Sequence, residues 1–351
     1  MQALTTIACD ESASEGENLM RSRHPVFVHG SVNLSQEEAE NFLAMLRALT
    51  GIKAPELKSR FALEPKHRSR LMIALVALAD TANIYFVEKS FFIVAKMIAL
   101  LPAEYAARNG LDLHFSGLGR LMANTLHDGG REAMGEQRWA SLLDSYNSVI
   151  RTYLRAGDVA PTVHPFFEAL RDARANCGEG EVREVLDFIW DARHITHHYE
   201  GMSSVQIREL DPMFPSLTTV ASTWDARLGG APFEFLADNY SGLDETTRST
   251  IIEMVRDPSS MGVPLPSAAL KAIRLTDSKG DPRVQVADIV AGVGREVAGM
   301  ALNRVFDDPL QQVAYPMLDR SIMTSDASPL AKLVQRSRRV AHPTGGYGHD
   351  R

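Results

Sequence analysis

Leu4-Thr5-Thr6-Ile7-Ala8-Cys9-Asp10-Glu11-Ser12 is the stretch on which the fold turns. Its first six residues are apolar or β-tolerant, and the run stops on two acids and a serine, the mark of a strand giving way to a loop. A carboxylate at the end of an apolar strand lies at the sheet edge where α/β sites are built, so Asp10 and Glu11 are candidate site residues. Position alone leaves a second reading open, in which Asp10, Glu11 and Ser12 merely open a turn.

Downstream, Pro25 to Val32 (PVFVHGSV) is rich in Val and Phe and reads as a second strand. Ser35 followed by Gln36, Glu37 and Glu38 forms an N-cap with acids in the first turn. Phe42, Leu43, Leu46 and Leu49 then recur at helical spacing until Gly51. Glu56 to Leu63 (ELKSRFAL) alternates and reads as a further strand before Pro65. Leu71, Leu75 and Leu78 mark another helix, and Asn83 to Val87 (NIYFV) another strand. The order strand, strand, helix, strand, helix, strand predicts an α/β sheet with helical crossovers.

From about Phe91 to Trp224 the period becomes helical throughout, with stripes such as Trp139, Leu142, Leu143, Tyr146, Val149, Ile150 and Tyr153, and Val182, Val185, Leu186, Ile189 and Arg193. Strand signals return at Phe233 to Ala237 (FEFLA) and Leu270 to Thr276 (LKAIRLT), before a helix from about Val284 to Leu302. The expected organisation is a discontinuous α/β core over residues 1–90 and 230–325, interrupted by a large all-helical insertion over 91–229. A Gly-rich, polar tail over 341–351 is expected to be disordered.

The 351 residues are 45% hydrophobic and 23% charged, which excludes a disordered or low-complexity chain. A formal charge of −7 excludes the globally basic field of a nucleic-acid coating protein, so an anionic partner needs a local basic patch or a metal. Two cysteines, Cys9 and Cys177, imply no disulfide framework and favour a reducing compartment. The acidic N-terminus and the shortness of the apolar stretch Ser90 to Leu101 argue against a signal peptide or a membrane span. The expected location is cytoplasmic, and composition leaves the oligomeric state open.

A second feature is Asp277-Ser278-Lys279 followed by Val284-Gln285-Val286-Ala287-Asp288-Ile289. Gln285 and Asp288 share a helix face among apolar neighbours. A carboxylate there is costly unless it is paired, so Asp288 needs a cation, a helix to cap or an arginine such as Arg283.

Four motifs, taken in order, resemble the bacterial and phage family known as domain of unknown function 3800. They are Asp10-Glu11-Ser12, Glu56-Leu57-Lys58, Asp277-Ser278-Lys279 and Gln285-Val286-Ala287-Asp288. The likeness spans roughly residues 4 to 89 and 232 to 302 and leaves the helical middle uncovered. It implies a ribonuclease H-like mixed sheet with flanking helices, in which Asp10, Glu56 and Asp288 act as catalytic metal ligands. Asp238, ending FEFLA, matches an acid common after a strand in similar sequences and is the fourth ligand. The chain departs from the family at Ala13, where Gly usually follows Asp-Glu-Ser, and a bend of positive φ is harder there.

Carboxylates packed together raise one another's pKa unless divalent cations neutralise them, and Mg²⁺ or Mn²⁺ takes hard oxygen ligands. Two such ions about 3.5 to 4 Å apart serve phosphodiester hydrolysis. The resemblance therefore implies a divalent-metal-dependent nuclease or phosphodiesterase acting on DNA or RNA. Glu11, Ser12, Lys58, Lys279 and Gln285 would serve the substrate, although lysines beside acids also form plain surface pairs. The competing expectation is a catalytically inactive interaction module, in a mobile-element or phage-defence setting suggested only by the family, whose helical insertion binds a protein partner.

Other features read as structural. His194, His197 and His198 stand at helical offsets, but Ile195 occupies the place of the zincin glutamate and only Glu200 is a nearby further ligand. Glu88-Lys89 reads as a solvated strand end. Gly292-Val293-Gly294 lacks the third glycine of a dinucleotide fingerprint and suggests close helix packing. Lys332, Arg336, Arg338 and Arg339 form a basic stripe on an expected helix, ordinarily solvated and otherwise suited to a phosphate backbone.

Overall fold

β1 (Thr5–Ser12) lies at the centre of a five-stranded sheet ordered β3-β2-β1-β4-β5, with β2 at Val26–Val32, β3 at Ala82–Glu88, β4 at Phe233–Asp238 and β5 at Leu270–Thr276. β2 runs antiparallel to both β1 and β3, while β4 and β5 run parallel to β1. The computed structural model describes residues 4–13, 19–113, 116–154, 163–195, 211–240, 242–258 and 266–341. The expected tail therefore falls almost wholly outside the described residues, as do His197, His198 and Glu200; His194 is exposed on a 3₁₀ turn.

Alternation along the strands sets two cores. Ile7, Cys9, Phe233 and Phe235 face one side, and Ala8, Val28, Ile84, Phe86 and Leu236 the other. The helices are α1 (Gln36–Thr50), α2 (Ser59–Ala62), α3 (Arg68–Leu75), α4 (Lys89–Leu100), α5 (Pro102–Arg108), α6 (Leu118–Met134), α7 (Glu136–Leu154), α8 (His164–Asn176) and α9 (Glu181–Asp191). They continue with α10 (Met213–Arg227), α11 (Glu245–Arg256), α12 (Pro282–Leu302), α13 (Pro309–Ala314) and α14 (Pro329–Ala341). α1 begins on the expected capping box of Ser35 and Glu38 and ends on Gly51 in the left-handed conformation, φ 74°.

Among the described residues the segment between β3 and β4 is helical throughout, as its period predicts. It shares one continuous core with the sheet: Trp139, Leu142, Leu143, Tyr146 and Val149 belong to the same cluster as Ile7 and Phe235. α10 is pinned to the sheet by Trp224, whose Nε1 donates to Ser31 Oγ at 2.9 Å. The helical stretch Lys89–Arg108 is long and apolar enough to cross a membrane, and 56% of its most apolar window is buried inside the protein.

α12 covers the opposite face. Gly30 of β2 makes this possible, because a Cβ there would stand 2.6 Å from Ala291 N and 2.7 Å from Ala287 O. Gly294 meets Ile84 and Val28 in the same way, and Gly292 meets Ser59, so the Gly292-Val293-Gly294 run does serve close packing.

Three expectations fail locally. β1 does not stop at Cys9 but runs on through Ser12, because β2 continues to pair with it: Asp10 lies opposite Gly30, Glu11 opposite His29 and Ser12 opposite Val28. Glu56 is not on a strand. Residues 56–58 are loop and Ser59–Ala62 a single helical turn, since the amides of Leu57 and Ser59 bond side chains of α12 instead of a neighbouring strand. Glu88 and Lys89 are not solvated, being only 8% and 2% exposed. Lys89 Nζ donates to Ala13 O at 2.8 Å and to Ser22 Oγ at 2.5 Å, and Glu88 accepts from Thr324 Oγ1.

Candidate functional site

The carboxyl ends of β1 and β4 carry Asp10, Glu11 and Asp238 side by side, because Cys9 pairs with Ala237 in parallel register. α12 lies over β1 and β2 and brings Asp288 to the same place. Asp10 is buried, and burial raises its carboxyl well above the usual range; Glu11, Asp288 and Asp238 push it further up, against one hydrogen bond from Glu11 N at 2.8 Å. Burial likewise raises Asp288, which Glu56 pushes further up against the opposing effects of Ser59 and Lys58.

Ser278 ties the distant segments together. Its N–H donates to Asp238 Oδ1 at 3.1 Å, its Oγ donates to Glu56 Oε1 at 2.8 Å, and Lys58 Nζ reaches the same Oγ at 3.1 Å. Gln285 is buried and braces the two loops, accepting from Leu57 N at 3.2 Å and donating to Ser278 O at 3.1 Å. Both ends of its amide are thus engaged with backbone. Asp288 accepts from Ser59 N at 2.6 Å and Ser59 Oγ at 3.0 Å, so it caps α2, whereas Arg283 pairs with Asp281.

Lys58 lies 2.7 Å from Glu56 with only 29% of its side chain exposed. Burial pulls its ammonium down, but Glu56, Asp288 and Asp10 outweigh that and hold it above its ordinary value. Burial pushes Glu56 up, and Lys58, Ser278 and Lys279 outweigh it in the other direction. Lys279 is exposed beyond this cluster. Ser12 Oγ accepts from Arg295 Nη1 at 3.1 Å.

Glu11 faces the other side of the sheet. Burial raises its carboxyl to about 7, with Asp238 and Asp211 adding to the effect. Asp211 holds Met213 N at 2.9 Å and Tyr240 Oη at 2.5 Å. Across the ladder, His29 is 1% exposed, neither ring nitrogen has a hydrogen-bond partner among the described residues, and burial lowers it to about 4.

The structure therefore gathers Asp10, Glu56, Asp238 and Asp288, with Lys58 and Gln285, at one edge of the sheet. Sequence reasoning passed over Ser59, Ser278 as the hub, Asp211 and His29. Ser278 lies inside a quoted motif and Ser59 directly follows one, which was the available signal; Asp211 and His29 gave none. All four carboxylates and Glu11 offer hard oxygen donors with too few cations among them, which suits Mg²⁺ or Mn²⁺. Among the described residues no three His, Cys, Asp or Glu side chains already stand as a metal-binding group, since Glu56 is turned to Lys58 and Asp288 to Ser59.

No protein-family model, curated protein or solved structure matches the chain. The resemblance to domain of unknown function 3800 rests on its four short motifs.

Proposed function

We propose that the chain is a divalent-metal-dependent nuclease or related phosphodiesterase built on a ribonuclease H-like core. One observation carries this reading: the parallel register of β1 and β4 sets buried Asp10 beside Asp238, and α12, packed on β1, brings Asp288 to them, so that the neighbouring acids raise the Asp10 carboxyl, with Lys58 as a cation facing Asp10 and Asp288. Acids placed so stay ionised together only with an added positive charge. The mixed sheet, drawing carboxylates from its first strand, a later strand and the helix after the last strand, is consistent with that core.

Asp10, Asp238, Asp288 and Glu56 would hold Mg²⁺ or Mn²⁺, the last two by exchanging Ser59 and Lys58 for the ion. The ions would supply an activated water and charge neutralisation at the phosphodiester. Lys58, released from Glu56, would meet a phosphate oxygen, and Lys279 is exposed outside it. Gln285 positions rather than reacts: it holds the Leu57 and Ser278 loops that present Glu56 and Asp238.

The test is cleavage of labelled DNA and RNA with Mn²⁺ or Mg²⁺, together with thermal unfolding. The native chain is expected to cut and to gain melting temperature at millimolar metal, because an ion bound to the folded state stabilises it. Asp10→Asn should lose both effects while remaining folded. Cleavage retained by Asp10→Asn, or no thermal shift in the native chain, refutes the proposal.

The competing reading, a catalytically inactive interaction module, is favoured by the protein donors that already satisfy Glu56 and Asp288. Leu111, Leu118 and Leu121, exposed in the helical segment, would then face a protein partner. The same metal titration separates the two readings.

A further inference from the structure

Away from the carboxylates, the segment after α13 runs along the outer edge of β3. Leu318 bridges Ile84 and Met323 bridges Val87, both in parallel sense, and Thr324 ends the run on Glu88. β3 is parallel to β1, so this run leads toward the sheet edge that carries Asp10 and Glu11.

Two adjoining cavities of about 520 and 420 Å³ line this run and share Arg320, Ser321 and Arg338. Arg227 enters the first cavity, near the amino end of β3, where it donates to Ala82 O at 2.8 Å and Asn83 Oδ1 at 3.1 Å. Arg120 enters the second and reaches Thr324 O at 3.3 Å, with Asp326 pairing to it at 2.6 Å. Arg338 is the member of the C-terminal basic stripe that faces the groove; it donates to Arg320 O at 2.8 Å, whereas Arg336 turns away to Asp307. The acid lining the first cavity, Asp319, is 2% exposed and already accepts from Asn83 Nδ2 and Ser321 N. Guanidinium groups spaced along a groove, with a chain of net charge −7 behind them, make a local cationic track instead of a diffuse basic field.

We infer that this groove beside β3, walled by Arg227, Arg320 and Arg338, binds the phosphodiester backbone of a nucleic-acid strand and leads it to the carboxylate edge. The inference rests on the nuclease reading for the strand's destination, but binding is testable without cleavage. The planar fork of arginine meets two oxygens of one phosphate at once. A track longer than one phosphate suits a strand better than a small phosphorylated molecule.

The experiment measures fluorescence anisotropy of a labelled single strand of about 20 nucleotides, as DNA and as RNA, without divalent metal and across a salt series. The proteins compared are the native chain, Arg320→Ala with Arg338→Ala, and Asp10→Asn. Both arginines are exposed, so the double variant should melt as the native chain does. Asp10→Asn, which removes a carboxylate from the strand's destination, is expected to bind no more weakly than the native chain. The double variant should bind at least about tenfold more weakly at low salt, with a salt slope shallower by roughly 1.4, about 0.7 per lost contact on a single strand. Unchanged affinity in the double variant, or no strand binding by the native chain at low salt, overturns the inference. So does inorganic phosphate or AMP that saturates the site while the oligonucleotide fails to compete. If Asp10→Asn still cuts but the double variant loses binding, the groove stands and the carboxylate assignment falls.

Discussion

Glu11 of β1 stands directly across the antiparallel ladder from His29 of β2, and burial shifts the two in opposite directions, Glu11 up to about 7 and His29 down to about 4. Both groups are therefore held toward their neutral forms inside the sheet. A raised carboxyl contributes stability that is full below its unfolded value and is lost as pH rises toward about 7. A lowered histidine contributes stability that is full above its unfolded value and is lost as pH falls toward about 4. The two slopes oppose each other between roughly pH 4.5 and 6.5.

It follows that each single variant uncovers the other's slope. Relative to the native chain, Glu11→Gln should tilt the stability profile upward with pH across that window and His29→Leu should tilt it downward, each by on the order of 2 kcal/mol. Urea unfolding at pH 4.5, 5.5, 6.5 and 7.5 is the measurement, and parallel profiles for the native chain and both variants would rule the pairing out.

Asp288 is held by Ser59 twice, through the amide and through the hydroxyl, across 229 positions of sequence. Ser59→Ala removes one bond to a buried carboxylate and should cost about 1–2 kcal/mol without metal. If Asp288 is a ligand, Mn²⁺ will take the place of the lost donor and narrow that cost. Unfolding midpoints of both proteins, with and without the ion, show whether the gap closes.

Ala13 adopts φ 68°, the left-handed bend that a glycine would take without strain, and Lys89 Nζ holds its carbonyl there at 2.8 Å. Ala13→Gly should relieve about 1–2 kcal/mol of steric cost. Part of this is returned through the greater freedom of glycine in the unfolded chain, so a net gain of about 0.5–1 kcal/mol is expected. A midpoint in urea that falls instead of rising would mean the bend carries no strain.

Gly30 is where α12 passes over the sheet opposite Asp10. Gly30→Ala would drive a methyl against backbone atoms of Ala287 and Ala291, which cannot yield as a side chain does. A loss of about 3 kcal/mol is expected, and cleavage should fall with it because Asp288 shifts with its helix. Thermal unfolding and activity measured on the same preparation check both effects.

Much of the sheet was legible in local pattern. Apolar, β-tolerant runs at 4–9, 25–32, 83–87, 233–237 and 270–276 mark strands whatever lies beside them, and the Ser35 and Glu38 box marks a helix start by chemistry confined to four residues. Asp10, Asp238 and Asp288 could be named because each sits at a recognisable place in its own element. Glu56 was placed on a strand because ELKSRFAL alternates, yet Gln285 and Asp288 claim its neighbouring amides from more than 220 positions away. The burial of Glu88 and Lys89 followed the same logic, since Thr324, Ala13 and Ser22 supply partners that no window around residue 88 contains.

Residue order and periodicity by themselves determined five strands and most helices, but not the 56–63 segment, and they put Asp238 at a strand end and Asp288 among the apolar residues of α12. Only the tertiary structure decided that Ser278 joins Glu56 to Asp238, that Ser59 closes on Asp288, and that Arg320 and Arg338 share a groove beside β3. The physical reason is range. Alternation and capping act within a few bonds along the chain, whereas a buried carboxylate or a guanidinium is governed by whichever dipoles and charges folding brings within about 3 to 6 Å of it.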